Sequence, residues 1–147
     1  MPFWRIFFHI VWATKNRQPF ITDEIEAALY PILASKCKEK EARAFAINGM
    51  PEHVHLIVST PPKLSPAELI GHVKGASSFA IQARFDTPFG WQRGYGVLSI
   101  STKSVRRAID YVRNQKGHHA NGTLYEALER TSDEDDGPTL IPPLPYE

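Results

Sequence analysis

The spacing of apolar residues changes period several times along this chain, and each change marks an element. Phe3 to Thr14 is rich in β-branched and aromatic residues and reads as a long strand, closed by the basic turn Lys15-Asn16-Arg17-Gln18-Pro19. Ile25, Leu29, Ile32, Leu33 and Cys37 then fall on one helical face. Thr22 caps that helix, Asp23, Glu24 and Glu26 suit the positive end of its dipole, and Pro31 should kink it or split it in two. Ala44 to Asn48 reads as a short strand, turned by Gly49-Met50-Pro51-Glu52 into a hairpin with the strand His53 to Thr60. Ser65-Pro66-Ala67-Glu68 is a capping box that opens a helix to about Phe85. Gly71 and Gly75 inside it imply the close approach of another backbone, with a nucleic-acid strand as one candidate. Tyr95 to Ser101 is the fourth strand. A helix over 103–116 follows, with Val105, Ala108, Ile109 and Val112 as its buried stripe and Gly117 as its stop.

The order is β-α-β-β-α-β plus one helix. It predicts an α+β, ferredoxin-like fold, a four-stranded antiparallel sheet with two helices on one face. The C-terminal helix must then cover the opposite face. Residues 1–119 form the domain in this reading. Residues 120–147 are an acidic and then proline-rich tail, either disordered or draped over the body.

Composition narrows the class. A chain of 147 residues with 42% hydrophobic content suits a single globular domain. One cysteine, Cys37, excludes an internal disulfide and a cysteine-based zinc site and fits a reducing cytoplasm. The apolar run from Ile6 to Ala13 is too short to span a bilayer, so no membrane association is expected. The net charge of +1 hides an asymmetry: residues 120–147 hold seven acids against Arg130, leaving 16 bases against 9 acids in residues 1–119. A basic body with an acidic tail suits a polyanionic ligand, and a tail that merely aids solubility would look the same.

Candidate chemistry sits in two places. His53 and His55 occupy alternate positions of one strand, so both imidazoles leave the same face about 6–7 Å apart, near enough to share a metal ion. Val54, Leu56 and Val58 take the other face. On the last helix Tyr111 and Gln115 fall about 40° apart, on the flank of the apolar stripe. A phenol there can serve as a nucleophile and a carboxamide oxygen as a hard metal ligand; an amphipathic helix with a half-buried Tyr and a solvated Gln would show the same letters.

The chain resembles the single-tyrosine HUH transposases of the insertion sequence 200/605 class. The resemblance is carried, in the family's order over residues 8–119, by Phe8-His9-Ile10-Val11-Trp12-Ala13-Thr14-Lys15-Asn16-Arg17, Pro51-Glu52-His53-Val54-His55, Val73-Lys74-Gly75-Ala76-Ser77-Ser78, Trp91-Gln92-Arg93-Gly94-Tyr95-Gly96-Val97 and Asp110-Tyr111-Val112-Arg113-Asn114-Gln115. It implies an enzyme that cuts and rejoins hairpin-marked ends of single-stranded DNA with a divalent metal, Mg²⁺ or Mn²⁺, and no nucleotide cofactor. Carried over by position, His53 and His55 are the HUH histidines, Tyr111 the nucleophile that forms a 5′-phosphotyrosine, and Gln115 the third metal ligand. The family's proteins are commonly homodimers in which the tyrosine helix of one subunit completes the site of the other.

Lys15, Arg17, Lys74, Arg93, Arg106, Arg107 and Arg113 are candidates to grip phosphates, and Trp91 and Tyr95 to stack an unpaired base. His9, His72, His118 and His119 have either a site role or an ordinary structural one. Two other functions share much of this pattern: a domesticated relative that processes repeated palindromes at a host locus, and a noncatalytic nucleic-acid-binding module on the same sheet. The four residues His53, His55, Tyr111 and Gln115 together argue against the second, because a binder has no use for all of them.

Overall fold

The computed structural model describes residues 2–138. Four strands, β1 (Phe7–Ala13), β2 (Arg43–Met50), β3 (His53–Ser59) and β4 (Gly96–Ile100), form one antiparallel sheet in the order β2-β3-β1-β4. The connections α1 (Asp23–Glu39) and α2 (Pro66–Phe85) make this the expected split β-α-β arrangement. β3 and β1 are the inner strands, with Val11 opposite His55 and Ala13 opposite His53.

Each face of the sheet packs its own core. Ile10 and Trp12 of β1 and Val54, Leu56 and Val58 of β3 pack against Ile25, Leu29 and Leu33 of α1 and Leu69, Val73 and Ile81 of α2. On the other face Ile57 and Ala46 meet α3 (Val105–Arg113) through Val112 and Tyr111, with Val105, Ala108 and Ile109 beside them. The helix that follows the fourth strand therefore covers the face left bare by α1 and α2. Local signals match their elements: Thr22 Oγ1 accepts from the Ile25 N–H at 3.3 Å and Ser65 Oγ from the Glu68 N–H at 3.1 Å.

Two local expectations are corrected and a third is narrowed. Pro31 does not divide α1, which runs unbroken from Asp23 to Glu39. Its ring sits at an exposed position, where the lost helical hydrogen bond faces water. Gly71 and Gly75 have open space where a side chain would stand, so the backbone they could admit is not part of the described chain. The last helix does not stop at Gly117. It breaks at Asn114 (φ −98°, ψ 19°) and resumes as α4 (Gln115–Asn121), which contains Gly117. Asn48 Nδ2 on β2 donates to the Arg113 carbonyl at 3.0 Å, the carbonyl that an unbroken helix would offer to the Gly117 N–H. Lys116 anchors α4 to Glu26, the Asn48 side chain and the Gly49 carbonyl.

The tail is partly ordered against the body. A single turn, α5 (Glu126–Glu129), packs Leu128 against the α3 face, and Ser132 bridges Tyr95, the residue just before β4. The prolines 142, 143 and 145 lie outside the described residues.

Because α1 is continuous through Pro31, Pro31→Ala should restore one backbone hydrogen bond and raise stability by about 1–3 kcal/mol. Chemical denaturation of the two proteins checks this; no gain would mean that α1 has adapted fully to its proline.

Candidate active site

The pleat of β3 presents two buried imidazoles on the α3 side of the sheet, with ring centroids 5.0 Å apart. Each is oriented from behind. His53 Nδ1 lies 3.0 Å from Glu52 Oε1, and His55 Nδ1 lies 2.8 Å from Nε2 of His9 on the adjacent β1. When each donates from Nδ1, its Nε2 lone pair points to a common place above the sheet, the usual way a metal-binding imidazole is fixed. Burial, and after it the neighbouring His55, pulls the His9 imidazole down to about 3, so His9 is neutral at pH 7 and able to accept that hydrogen bond.

α3 brings Tyr111 to the same place. Its ring centroid is 6.2 Å from that of His55 and 6.3 Å from that of His9, and His118 of α4 stacks on it at 4.5 Å. The break at Asn114 sets Gln115 at the start of α4, fully buried, with Nε2 3.5 Å from His53 Nε2. Its carbonyl oxygen, Oε1, is buried and has no partner among the described residues. The expected quartet of His53, His55, Tyr111 and Gln115 is thus gathered from one chain.

A fifth residue joins them. Glu129, from α5, places Oε1 3.1 Å from His55 Nε2, 3.4 Å from His53 Nε2 and 3.5 Å from His119 Nε2. Its Oε2 accepts the Tyr111 hydroxyl at 2.6 Å, and both oxygens accept from Gln115 Nε2. Burial alone would raise the Glu129 carboxyl, but hydrogen bonds from His53, His55 and Tyr111 prevail and hold it far below the usual carboxylate range. Burial, then that same hydrogen bond, pushes the Tyr111 phenol above the usual tyrosine range. One ligand atom from each of His53, His55 and Glu129 lies within 4.8 Å of the others, a spacing suited to a metal ion. Sequence reasoning missed Glu129 because it sits in an acidic tail that reads as solvated. An available signal was Leu128, an apolar residue beside it in that polar stretch.

The other candidates separate by environment. Lys15, Arg17, Arg93, Arg106, Arg107 and Arg113 are exposed. Lys74 is partly buried and donates to the carbonyls of Gln92 (2.8 Å) and Gly94 (3.2 Å), bracing the loop before β4. Trp91 packs on Trp12 and Phe89 and donates from Nε1 to Ser77, and Tyr95 is partly buried against the same core. These three are occupied by the fold. His72 pairs with Glu39, away from the site. His119 stands 4.9 Å from the His53 ring, at the site's edge.

Two oriented histidines on the sheet thus face a tyrosine on the helix that covers them. The chain belongs to the family described as transposase IS200 like, whose model matches residues 2–115. It is 31% identical over 119 residues to the transposase for insertion sequence element IS200 of Salmonella typhimurium, covering 76% of this chain and 78% of that protein. To the ISDra2 transposase TnpA of Deinococcus radiodurans it is 24% identical over 115 residues, 74% of this chain and 82% of that one. Among solved structures, one from Deinococcus radiodurans assigned as a transposase superposes with a TM-score of 0.64 at 26% identity, over 78% of this chain and 95% of that one. A REP-associated tyrosine transposase bound to a REP hairpin shares the fold, with a TM-score of 0.61 at 16% identity, over 97% and 100% of the two chains. The protein is accordingly a transposase, with DNA as its partner. Among the described residues no helix is long and apolar enough to cross a membrane.

The buried His9 gives a pH prediction. In the unfolded chain its imidazole takes up a proton near pH 6.5, whereas in the fold it does so only near 3. Between these values the unfolded state binds more protons, so stability falls as pH falls, by up to about 1.4 kcal/mol per pH unit from this group. Metal-free wild-type protein should therefore lose more stability between pH 7 and pH 5 than His9→Gln does. Equal losses in thermal denaturation would place the acid sensitivity elsewhere.

Proposed function

We propose that the protein is a metal-dependent transposase that cleaves and rejoins hairpin-marked ends of single-stranded DNA through a 5′-phosphotyrosine at Tyr111. The observation that carries this reading is the Tyr111 hydroxyl held beside the His53–His55 pair by a shared partner, Glu129. A nucleophile so placed needs only a phosphate between itself and the histidines.

The donor set fits a divalent ion, Mg²⁺ or Mn²⁺. His53 and His55 offer oriented Nε2 atoms, and Gln115, whose Nε2 is the atom facing His53, would offer its buried, unpartnered Oε1 once the amide is turned about. Bound there, the ion would supply charge neutralisation and orientation at a nonbridging phosphate oxygen. The chain's own groups do the rest. Tyr111 Oη attacks phosphorus in line, the bond from phosphorus to the 3′ oxygen breaks, and the proton lost by the phenol is matched by the one gained at the departing 3′-OH. Glu129 Oε2 is the nearest acceptor for the phenol proton. One phosphodiester replaces another, so the step is close to isoenergetic and a different 3′-OH can reverse it.

The exposed Lys15, Arg17, Arg93, Arg106, Arg107 and Arg113 supply sequence-independent phosphate contacts in this reading. Lys74, Trp91 and Tyr95 act indirectly, by shaping the loop that carries Arg93. A cytoplasmic enzyme acting on cellular DNA fits the chain's buried, unpaired Cys37. Tyr111, Gln115 and both histidines stand together on one chain, which supports a site completed in cis. A homodimer would then bring two complete sites to two DNA ends.

Tyr111→Phe should abolish the covalent adduct with labelled single-stranded ends and leave hairpin binding within a few-fold, because it removes one oxygen and little surface. Adduct of comparable yield would move the nucleophile to another tyrosine. The cis arrangement has its own test: mixing His53→Ala chains with Tyr111→Phe chains should restore no cleavage. Partial recovery would show that subunits exchange their tyrosine helices.

A further inference from the structure

Glu129 lies beyond residue 115, where the match to the family ends, yet it is the residue that touches every other member of the site. We propose that Glu129 is an anionic oxygen ligand of the divalent cation, delivered by α5 to complete the set begun by His53, His55 and Gln115. This rests on the metal-dependent reading above and adds to it a ligand from outside the family's motifs.

Geometry is the first support. Ligands about 2.1 Å from an octahedral ion stand about 3 Å from their neighbours. Glu129 Oε1 lies 3.1 Å from His55 Nε2 and 3.4 Å from His53 Nε2. Glu129 Oε1 thus already stands near the spacing of an adjacent coordination position from each imidazole nitrogen.

Chemistry is the second. Two imidazoles and a carboxamide are all neutral, whereas Mg²⁺ and Mn²⁺ favour oxygen donors and are commonly held by carboxylates. Glu129 supplies the missing negative charge. Its two oxygens divide their work, Oε1 toward the histidines and Oε2 to the Tyr111 hydroxyl at 2.6 Å, so one carboxylate ties the ion's position to that of the nucleophile.

The third support is that the body is shaped to receive the segment. Ser132 and Tyr95 exchange backbone hydrogen bonds of 3.1 and 3.2 Å, fixing the chain three residues after Glu129. Gly94 (φ +90°) faces the Ser132 carbonyl and Gly96 faces the Arg130 carbonyl so closely that a Cβ at either position would collide with it. Both glycines lie within the family-matched part of the chain, and here they make room for the segment that follows Glu129.

The same position would suit a carboxylate that blocks the site by competing with the cation, and the two roles differ in sign. In the full chain, Mn²⁺ binding is measured by calorimetry and by the loss of the free-ion electron paramagnetic resonance signal, without DNA. The wild type should bind one Mn²⁺, and Glu129→Gln, which keeps size and shape, should weaken binding about tenfold or more with an unchanged circular dichroism spectrum. Gly96→Ala, which removes no ligand but dislodges the segment, should weaken it in the same direction. Equal or tighter binding in Glu129→Gln overturns the assignment, and tighter binding identifies a blocking carboxylate. If wild-type protein takes up no Mn²⁺, the metal-dependent reading itself fails. If His53→Ala loses the ion and Glu129→Gln does not, that reading stands and only the role of Glu129 falls.

Discussion

The two-sided burial of β3 is the constraint on which the rest of the structure depends. All seven of its residues are buried, because it lies between β1 and β2 and both of its faces are covered. Its pleat therefore sorts every side chain into one of two cores. A slip of one residue would send His53 and His55 into the apolar layer beneath α1 and α2 and turn Val54 and Leu56 toward Tyr111. Burying two imidazoles in a layer without acceptors costs several kcal/mol, so the hydrophobic core itself fixes the register of the site. The chemistry is thus anchored by residues that take no part in it.

Position along the covering helix is set by different means. Tyr111 is placed by the packing of Val112, Ala108 and Ile109 on Ile57 and Ala46, which fixes the rotation of α3 against the sheet. Gln115 is placed by the break at Asn114, where β2 captures a helix carbonyl through Asn48, and by Lys116, which clamps α4 to α1 and β2. The two residues are therefore held by separate segments. A change in α4 can move Gln115 without moving the nucleophile.

Much of this was legible because it depends on period. The alternation through His53-Val54-His55 named the face of β3, and the stripe Val105, Ala108, Ile109 and Val112 named the face of α3. What failed to show was whatever depended on distant partners. Nothing local announces that Asn48 will take the Arg113 carbonyl, so a break looked like a continuous helix ending at Gly117. Trp91 and Lys74 belong to residue types that commonly contact nucleic acid, but one meets Trp12 and Phe89 and the other meets two carbonyls, contacts that only the folded loop creates. Glu129 was hidden by its own neighbourhood. Acids in a polar tail ordinarily face water, and the Tyr95–Ser132 bridge that turns this one inward spans a long stretch of sequence.

The electrostatics of the site also favour a cation. A carboxylate with this much burial forfeits solvation, and here it recovers it from the Tyr111 hydroxyl, the Gln115 amide and the His55 and His53 rings. Those donors come at the expense of function, since an imidazole that donates from Nε2 has no lone pair there to give a metal, and a phenol bound to a carboxylate resists ionisation. On the proposed reading, a divalent ion held by His53 and His55 would take their Nε2 lone pairs and leave each Nδ1 to donate to its waiting acceptor, Glu52 or His9. Glu129 Oε2 would remain the nearest acceptor for the Tyr111 proton. Charge balance in the site is therefore decided at one carboxylate that faces both the imidazoles and the phenol.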